Sequence, residues 1–258
     1  MMMEKASTLE RRARILEKVD TAGQVEVQNL SGIFGVSEVT IRNDLAHLEQ
    51  KNLLLRTRGG AIKQRRVGFD FALAEKQKQH LAEKQRIGRT AVDLIKEYDT
   101  IILDSGSTTM EIAKNLARLN HVTVITDALN IASILAEYKN VKVIIPGGSL
   151  RENSYSLVGS LAEQNFRNYY CDKLFLGVDG FDSRYGISTP NVEEAQLNRV
   201  MVEISREIFV VTDSSKFSRR SFAFITPVSE IDAVITDKGI PQEEHNILKN
   251  MGVKVIIA

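Results

Sequence analysis

Residues Gln24 to Gln50, QVEVQNLSGIFGVSEVTIRNDLAHLEQ, decide how the first part of this chain folds. Val27, Leu30 and Phe34 fall at i, i+3 and i+7, which is one face of a short first helix. Gly35-Val36 makes a turn. Ser37 then stands at an N-cap position, where its hydroxyl takes an orphan backbone N–H. The spacing predicts a second helix from about Glu38 to Gln50, with Ile41, Leu45 and Leu48 facing inward. Its opposite face carries Val39, Thr40, Arg42, Asn43 and Ala46. Those side chains suit a DNA major groove: Arg for guanine or phosphate, Asn for adenine, Thr and Val for a thymine methyl. On spacing alone the stretch reads equally well as a helical hairpin buried in an ordinary domain.

The flanks favour DNA. Upstream, Thr8 to Thr21 is predicted helical and carries Arg11, Arg12 and Arg14 beside Leu9, Ile15, Leu16 and Val19. Downstream, LLLRTRGGA (Leu53 to Ala61) reads as a strand with alternating Arg56 and Arg58, then a Gly-Gly turn. A basic ribbon after such a helix is a wing, placed to touch phosphates or the minor groove. The candidate DNA-binding residues are therefore Ser37, Val39, Thr40, Arg42, Asn43, Arg56 and Arg58.

These residues also carry a resemblance. RRARILEKV (11–19) and VSEVTIRNDLAHLEQKNLLLRTRGGA (36–61) resemble the N-terminal winged helix of the DeoR family of bacterial sugar-metabolism regulators. The pattern VSxxTIRxDLxxLE followed by a basic wing ending in GGA is specific. Asn43 departs from it, standing where many members have a second basic residue, and this implies a different base preference.

The whole chain, at 258 residues, is long enough for two domains. Apolar residues make up 43% and charged ones 26%, ordinary for a globular protein. The net charge of +1 is unevenly spread. Residues 1–66 hold 12 Lys and Arg against 8 Asp and Glu, while the remainder holds 22 against 25. A basic head on a slightly acidic body fits a nucleic-acid module joined to a domain that binds something else. The single cysteine, Cys171, excludes an intramolecular disulfide and a Cys-rich metal site, and favours a reducing, cytoplasmic setting. His47, His80, His121 and His245 show no metal-ligand spacing, so no metal or cofactor is expected. No apolar run approaches the roughly 20 residues of a membrane span, and the start lacks a signal-peptide core.

Residues 64–85 read as a linker between a winged helix-turn-helix domain (8–63, the helix-turn-helix at about 25–44) and an effector domain (86–258). Phe69, Phe71 and Leu73 look like a short extended piece, and the charge run EKQKQ (75–79) reads as a solvated face. From Thr100, short apolar runs alternate with helical stretches. Strands are expected at 100–104, 122–126, 141–145, 173–178, 207–212, 233–236 and 253–257. Helices are expected at 108–119, 128–138, 161–168, 191–206 and 242–250. This alternation predicts an α/β domain with a mainly parallel sheet, whose ligands bind beyond the carboxyl ends of the strands.

Those ends are polar. After the first strand, Asp104, Ser105, Gly106, Ser107, Thr108 and Thr109 lead into a helix, a pattern that makes a phosphate cradle or an ordinary capped turn. It matches neither a Walker loop nor a dinucleotide Gly-x-Gly-x-x-Gly. Thr126 and Asn130 follow the second strand, and Gly147, Gly148 and Arg151 the third. Asp179 and Gly180 follow the fourth, with Asn191 and Glu194 beyond, and Lys216 follows the fifth as the cation placed near a ligand. Hydroxyls, amides, a carboxylate and a lysine at successive strand ends suit a phosphorylated polyol.

The order LDSGSTT, GG, GVDGFD, STPNVEEA, VVTDSSKF is similar to the C-terminal effector domain of the same family, so the resemblance spans about residues 8–258. It implies a fold similar to ribose-phosphate isomerases and amino-sugar-phosphate deaminases, a sugar-phosphate effector, a homo-oligomer (dimer or tetramer) and double-stranded operator DNA as partners. GSTTMEIA and DSSKFSRRSF look closest to members controlling N-acetylgalactosamine and galactitol use. The reading is a repressor, not an enzyme. The rival is a sugar-phosphate isomerase or deaminase fused to a DNA-binding head, with Asp179, Asp182, Glu193, Glu194 and Lys216 as acid–base groups. In the isomerase signature a Glu closely follows an Asp-Gly-Ala-Asp run. Here Asp179-Gly180-Phe181-Asp182 is followed by Ser183 and Arg184.

Overall fold

The computed structural model describes residues 7–51, 53–63, 68 and 70–258. They divide into two units, one ending before residue 67 but including Lys78–His80, the other holding the rest.

The smaller unit begins with α1 (Thr8–Ala22), β1 (Gln24–Glu26) and α2 (Val27–Phe34), followed by α3 (Glu38–Gln50), β2 (Leu54–Arg56) and β3 (Gly60–Lys63). Ser7 caps α1 by accepting from Glu10 N–H, and Ser37 caps α3 by accepting from Thr40 N–H at 3.2 Å. Gly35, at φ 62°, supplies the left-handed residue that ends α2. Ile15, Val19, Leu30, Ile41, Leu45, Leu48 and Leu54 are buried together as the periodicity predicts. The wing is three-stranded, with β3 between β1 and β2 and all pairings antiparallel. Gly60 is needed at its β1 crossing, because a Cβ there would lie 1.8 Å from the Val25 carbonyl oxygen.

One buried charge cluster ties α1 to α3. Asp44 is only 1% exposed and accepts from Arg11 Nε at 2.6 Å and Arg12 Nε at 2.7 Å. Arg14 lies over the Phe34 ring. The basic flank read from the sequence is therefore largely internal mortar.

The larger unit opens with α4 (Leu73–Lys76) and α5 (Leu81–Val92). It continues with β4 (Thr100–Leu103), α6 (Ser107–Asn115), β5 (Val122–Ile125), α7 (Leu129–Leu135) and β6 (Val141–Ile144). Next come β7 (Ser149–Arg151), β8 (Ser156–Val158), α8 (Ser160–Phe166), β9 (Cys171–Gly177), β10 (Gly180–Asp182) and β11 (Gly186–Thr189). The chain ends with α9 (Val192–Glu203), β12 (Ser205–Val211), β13 (Ala223–Thr226), β14 (Ala233–Thr236), α10 (Gln242–Asn250) and β15 (Lys254–Ile257).

Seven strands form one parallel sheet in the order β15-β14-β12-β9-β4-β5-β6. Each apolar run read as a strand is one of them. Both faces are covered. Ile101 and Leu103 of β4 join α5, α6 and α7 residues such as Ile87, Ile112 and Ile131, while Ile102 joins Phe166, Leu197 and Leu248 of α8, α9 and α10. Burial on two faces is why these strands are continuously apolar and not alternating.

Three features differ from expectation. A hairpin (β7-β8) and a small antiparallel sheet (β10-β11-β13) stand apart from the main sheet. Their strands have three or four residues each, too short to give a periodic signal. The stretch 64–85 also does not behave as a simple linker, since residues 70–77 and those from Leu81 group with the larger unit. Finally, Leu73 opens a helix instead of an extended piece and is 2% exposed; Phe69 lies outside the described residues.

Candidate functional site

On the smaller unit, the side of α3 turned away from Ile41, Leu45 and Leu48 is open. Val39 is 63% exposed, and Arg42 and Asn43 are exposed beside it; Thr40 is half-buried, its hydroxyl 2.9 Å from that of Ser37. Arg42 pairs with Glu38 at 2.8 Å, one turn back. An exposed pair of this kind is worth under about 1 kcal/mol, so it pre-orients the guanidinium without locking it. Arg42 and Glu38 share a cleft with the wing residues Thr57 and Gly59. Arg56 and Arg58 are exposed, Arg56 lying 3.8 Å from Glu49. The seven residues read as DNA-binding thus lie on α3, at its cap and on the wing.

On the larger unit, a cavity sits at the carboxyl ends of β4, β9 and β12, where open α/β sheets bind ligands. Ser105, Gly106, Ser107 and Thr108 form one wall. The first-turn N–H groups of α6 have no partner within their helix, and no side chain caps that end. Such a helix end favours an anion. The same cavity is lined by Lys84 from α5, Lys76 from α4 and Lys216 from the turn after β12. Lys76 donates to Asp179 at 2.9 Å, and Lys216 lies 3.7 Å from the same carboxylate. Lys84, 3% exposed, donates to the Lys76 carbonyl.

Burial and opposed charges set the protonation here. Burial pushes Lys84 down to about 8, with Asp213 acting against the shift and Lys216 and Lys76 adding to it. Burial draws Asp179 up, but Lys76 and Lys216 together outweigh it and hold the carboxyl at about 2. Lys76 is held above its ordinary value, since Asp179, Asp70 and Glu194 overcome its burial.

Asp104, Asp127 and Glu194 form an interacting carboxyl cluster at this site. Asp104 accepts from Gly177 N–H at 3.1 Å, and Asn198, with its amide nitrogen turned inward, donates to Asp104 at 3.2 Å. Burial, then Asp127 and Glu194, raise Asp104 well above the usual carboxylate range. Burial, then Glu194, raise Asp127 to about 8. Glu194 accepts from Ser156 and Thr189 hydroxyls, each at 3.1 Å, and pairs with Arg151. Carboxyl groups and hydrogen-bonded hydroxyls thus share the cavity wall with three lysines.

Of the effector residues named from sequence, Asp104, Ser105, Gly106, Ser107, Thr108, Asp179, Glu194 and Lys216 line this cavity. The others support it from outside. Thr109 donates to Gly106 carbonyl, Thr126 accepts from Ala128 N–H, and Asn130 reaches Met110 sulfur. Gly147 and Gly148 take positive φ between β6 and β7, and a Cβ on Gly148 would meet Val158 carbonyl oxygen at 2.7 Å. Gly180 is packed in β10 against Ser188, and Asn191 caps α9 by accepting from Glu194 N–H. Asp213, which begins the strand-end loop carrying Lys216, lines the cavity too, as do Lys76, Lys84, Asn153 and Asn198, which sequence reading missed. Lys76 sat in plain view in the EKQKQ run taken as a solvated face; burial of Leu73 three residues earlier turns it inward.

Fold and site together define a class: a winged-helix head able to face DNA, joined to a parallel-sheet domain with a polar, cation-lined cavity. Residues 11–66 match the DeoR-like helix-turn-helix domain and residues 79–238 match the DeoR C terminal sensor domain. The chain belongs to the DeoR family of transcriptional regulators. It is 42% identical to a protein of Escherichia coli O157:H7 named as a transcriptional repressor of the aga operon, across 97% of this chain and 94% of that one. It is 35% identical to the regulator GlpR of Haloferax volcanii, across 96% of each. Among solved structures, ribose 5-phosphate isomerase A of Methanocaldococcus jannaschii aligns with TM-score 0.39 and 18% identity over 52% of this chain and 53% of that one. The eIF2B beta subunit of Chaetomium thermophilum aligns with TM-score 0.43 and 14% identity over 69% and 54%. Among the described residues, no helix is long and apolar enough to cross a membrane.

Proposed function

We propose that this protein is a repressor of a sugar or amino-sugar catabolic operon, relieved when a sugar phosphate enters the cavity of the larger unit. The observation that carries this reading is that Lys76, Lys84 and Lys216 line the same cavity as the uncapped N-terminus of α6. Three lysines sharing a cavity with a helix N-terminus suit a dianionic phosphate. Asp104, Asn198, Thr189 and Glu194 then read the hydroxyls. Ser37, Val39, Thr40, Arg42 and Asn43 enter the major groove of double-stranded operator DNA, with Arg56 and Arg58 on the flanking backbone. One such head has a small footprint, so a dimer or tetramer on repeated half-sites is expected. The resemblance of GSTTMEIA and DSSKFSRRSF to members controlling N-acetylgalactosamine and galactitol use makes amino-sugar and galactitol phosphates the first effectors to try.

The rival, an isomerase or deaminase, draws on the same carboxyl groups. It needs a base in reach of a C–H bond. Asp179 is held at about 2 between Lys76 and Lys216, which leaves a weak base. Thermal-shift screening of the whole chain with hexosamine, tagatose, galactitol and pentose phosphates tests the sensor reading, and a turnover assay on the same compounds tests the rival. Stabilisation without turnover supports a sensor; turnover, or no stabilisation by any phosphate, overturns it.

A further inference from the structure

Val39, Thr40, Arg42 and Asn43 are not alone on the open side of α3. Glu38 is the first residue of that helix, directly after the Ser37 cap. The bond from Thr40 N–H to the Ser37 hydroxyl holds the helix start in place. Asp44 is buried against Arg11 and Arg12, so Glu38 is the carboxylate that the first two turns of α3 show to solvent. Its side chain is 44% exposed and lies 2.8 Å from Arg42 Nη2.

The cleft these two residues share with the wing has an unexpected sign for a DNA-facing surface. Among the described residues, the charged ones that line it are Glu26, Glu38 and Arg42. Its wing side is fixed, because Thr57 N–H donates to the Gly60 carbonyl at 3.0 Å and Val27 N–H to the Gly59 carbonyl at 2.8 Å. Two carboxylates against one guanidinium repel a phosphate, and that repulsion acts on every DNA sequence alike. Glu38 gains a partner only where the groove offers a donor. The major groove has two, the cytosine N4 amine and the adenine N6 amine. Adenine sets the acceptor N7 beside its amine, which suits an amide and repels a carboxylate; cytosine has no such acceptor.

Arg42 keeps its own reading. The bond to Glu38 uses one of five guanidinium N–H donors and leaves the rest for guanine O6 and N7. Four residues at about 1.5 Å each set the two side chains about 6 Å apart at their roots along the helix. Their tips are 2.8 Å apart. That offset matches one base-pair step of about 3.4 Å better than one shared base plane.

Building on the reading of α3 as the DNA-facing helix, we propose that Glu38 is a specificity-determining residue: its carboxylate accepts from the N4 amine of a cytosine in the base pair adjoining the guanine held by Arg42. The ion pair holds the two groups at the spacing of that step. A helix-dipole role, open to any acid in a first turn, gives no preference among bases.

The test is selection of random duplex DNA on the full chain, native, Glu38→Ala, Glu38→Gln and Arg42→Ala. Fluorescence anisotropy on the best duplex and its single-base variants follows. The native protein is expected to select a cytosine beside a guanine and to lose about tenfold in affinity when that cytosine is replaced. In Glu38→Ala the cytosine preference falls below about twofold, the guanine preference stays, and binding to unrelated DNA tightens. Glu38→Gln keeps the shape of the side chain and moves the preference at that position to adenine. A native site without cytosine beside the guanine overturns the proposal. So does a cytosine preference that survives in Glu38→Ala or Glu38→Gln. Loss of the guanine preference alone in Glu38→Ala makes Glu38 a positioner of Arg42 and also overturns it. No enriched sequence with the native chain, or a native site kept by Arg42→Ala, overturns the reading of α3 itself.

Discussion

Lys84→Met is expected to stabilise the ligand-free protein while abolishing its response to phosphate. Lys84 is buried, and its folded-state value of about 8 lies below the ordinary 10.5. A shift of that size corresponds to about 3 kcal/mol against the charged form, at about 1.4 kcal/mol per unit. Met retains most of the stem's packing but leaves the Lys76 carbonyl without the Lys84 donor, a loss of about 1 kcal/mol. The net expectation at pH 7 is a gain of about 2 kcal/mol, or about 4–8 °C in a unit of this size. The pH dependence has a definite sign. Because the folded value is depressed, the unfolded chain binds more protons between pH 8 and 10.5, so the native protein gains stability as pH rises through that window. Lys84→Met lacks that rise. Asp127, raised to about 8, works the opposite way between about pH 4 and 8, but it is present in both proteins and cancels in the difference. Paired thermal melts from pH 6 to 10, with and without phosphate, measure the effect. A variant less stable than native by 2 kcal/mol, or a difference that does not shrink above pH 8, refutes the burial argument.

Three further outcomes follow from the same geometry. Asp44→Ala strands Arg11 in the head's interior; loss of a buried partner costs about 3–5 kcal/mol, comparable to the whole stability of so small a unit, and circular dichroism should show the head unfolding first. Arg42→Ala, at an exposed position, should leave the melting temperature within about 2 °C and weaken specific operator binding by tenfold or more in a gel shift. Phosphate-ester binding should peak between about pH 6, where the ligand becomes a dianion, and about pH 8, where Lys84 loses its proton; calorimetry showing flat affinity from pH 6 to 9.5 would remove Lys84 from the site.

Much of the molecule was readable because local and global preferences agree. The head's helices carry caps and apolar stripes that survive in the fold, from Ser37 through Ile41, Leu45 and Leu48. The sheet was readable because strands buried on both faces are unbroken apolar runs. Half of the cavity was readable, because strand ends and helix starts are adjacent in sequence: Asp104 to Thr108, Asp179 and Lys216. The other half comes from places where sequence distance hides proximity. Lys76 and Lys84 arrive from before the first strand of the sheet, and Asn198 from the second turn of α9. A charged residue in a polar run carries no local sign that a buried leucine will turn it inward. The role of Arg11 and Arg12 was hidden for the same reason, since their partner Asp44 lies over 30 residues away on another helix.

The central claim is that one chain reads DNA with α3 and answers a phosphorylated sugar bound elsewhere. Its most direct test is fluorescence anisotropy of a labelled duplex, selected on the protein from genomic fragments, titrated with a sugar phosphate that stabilises the protein and with the same sugar unphosphorylated. The account predicts tight binding that weakens at least about fivefold with the phosphate alone; DNA affinity that stays constant at saturating phosphate would contradict it.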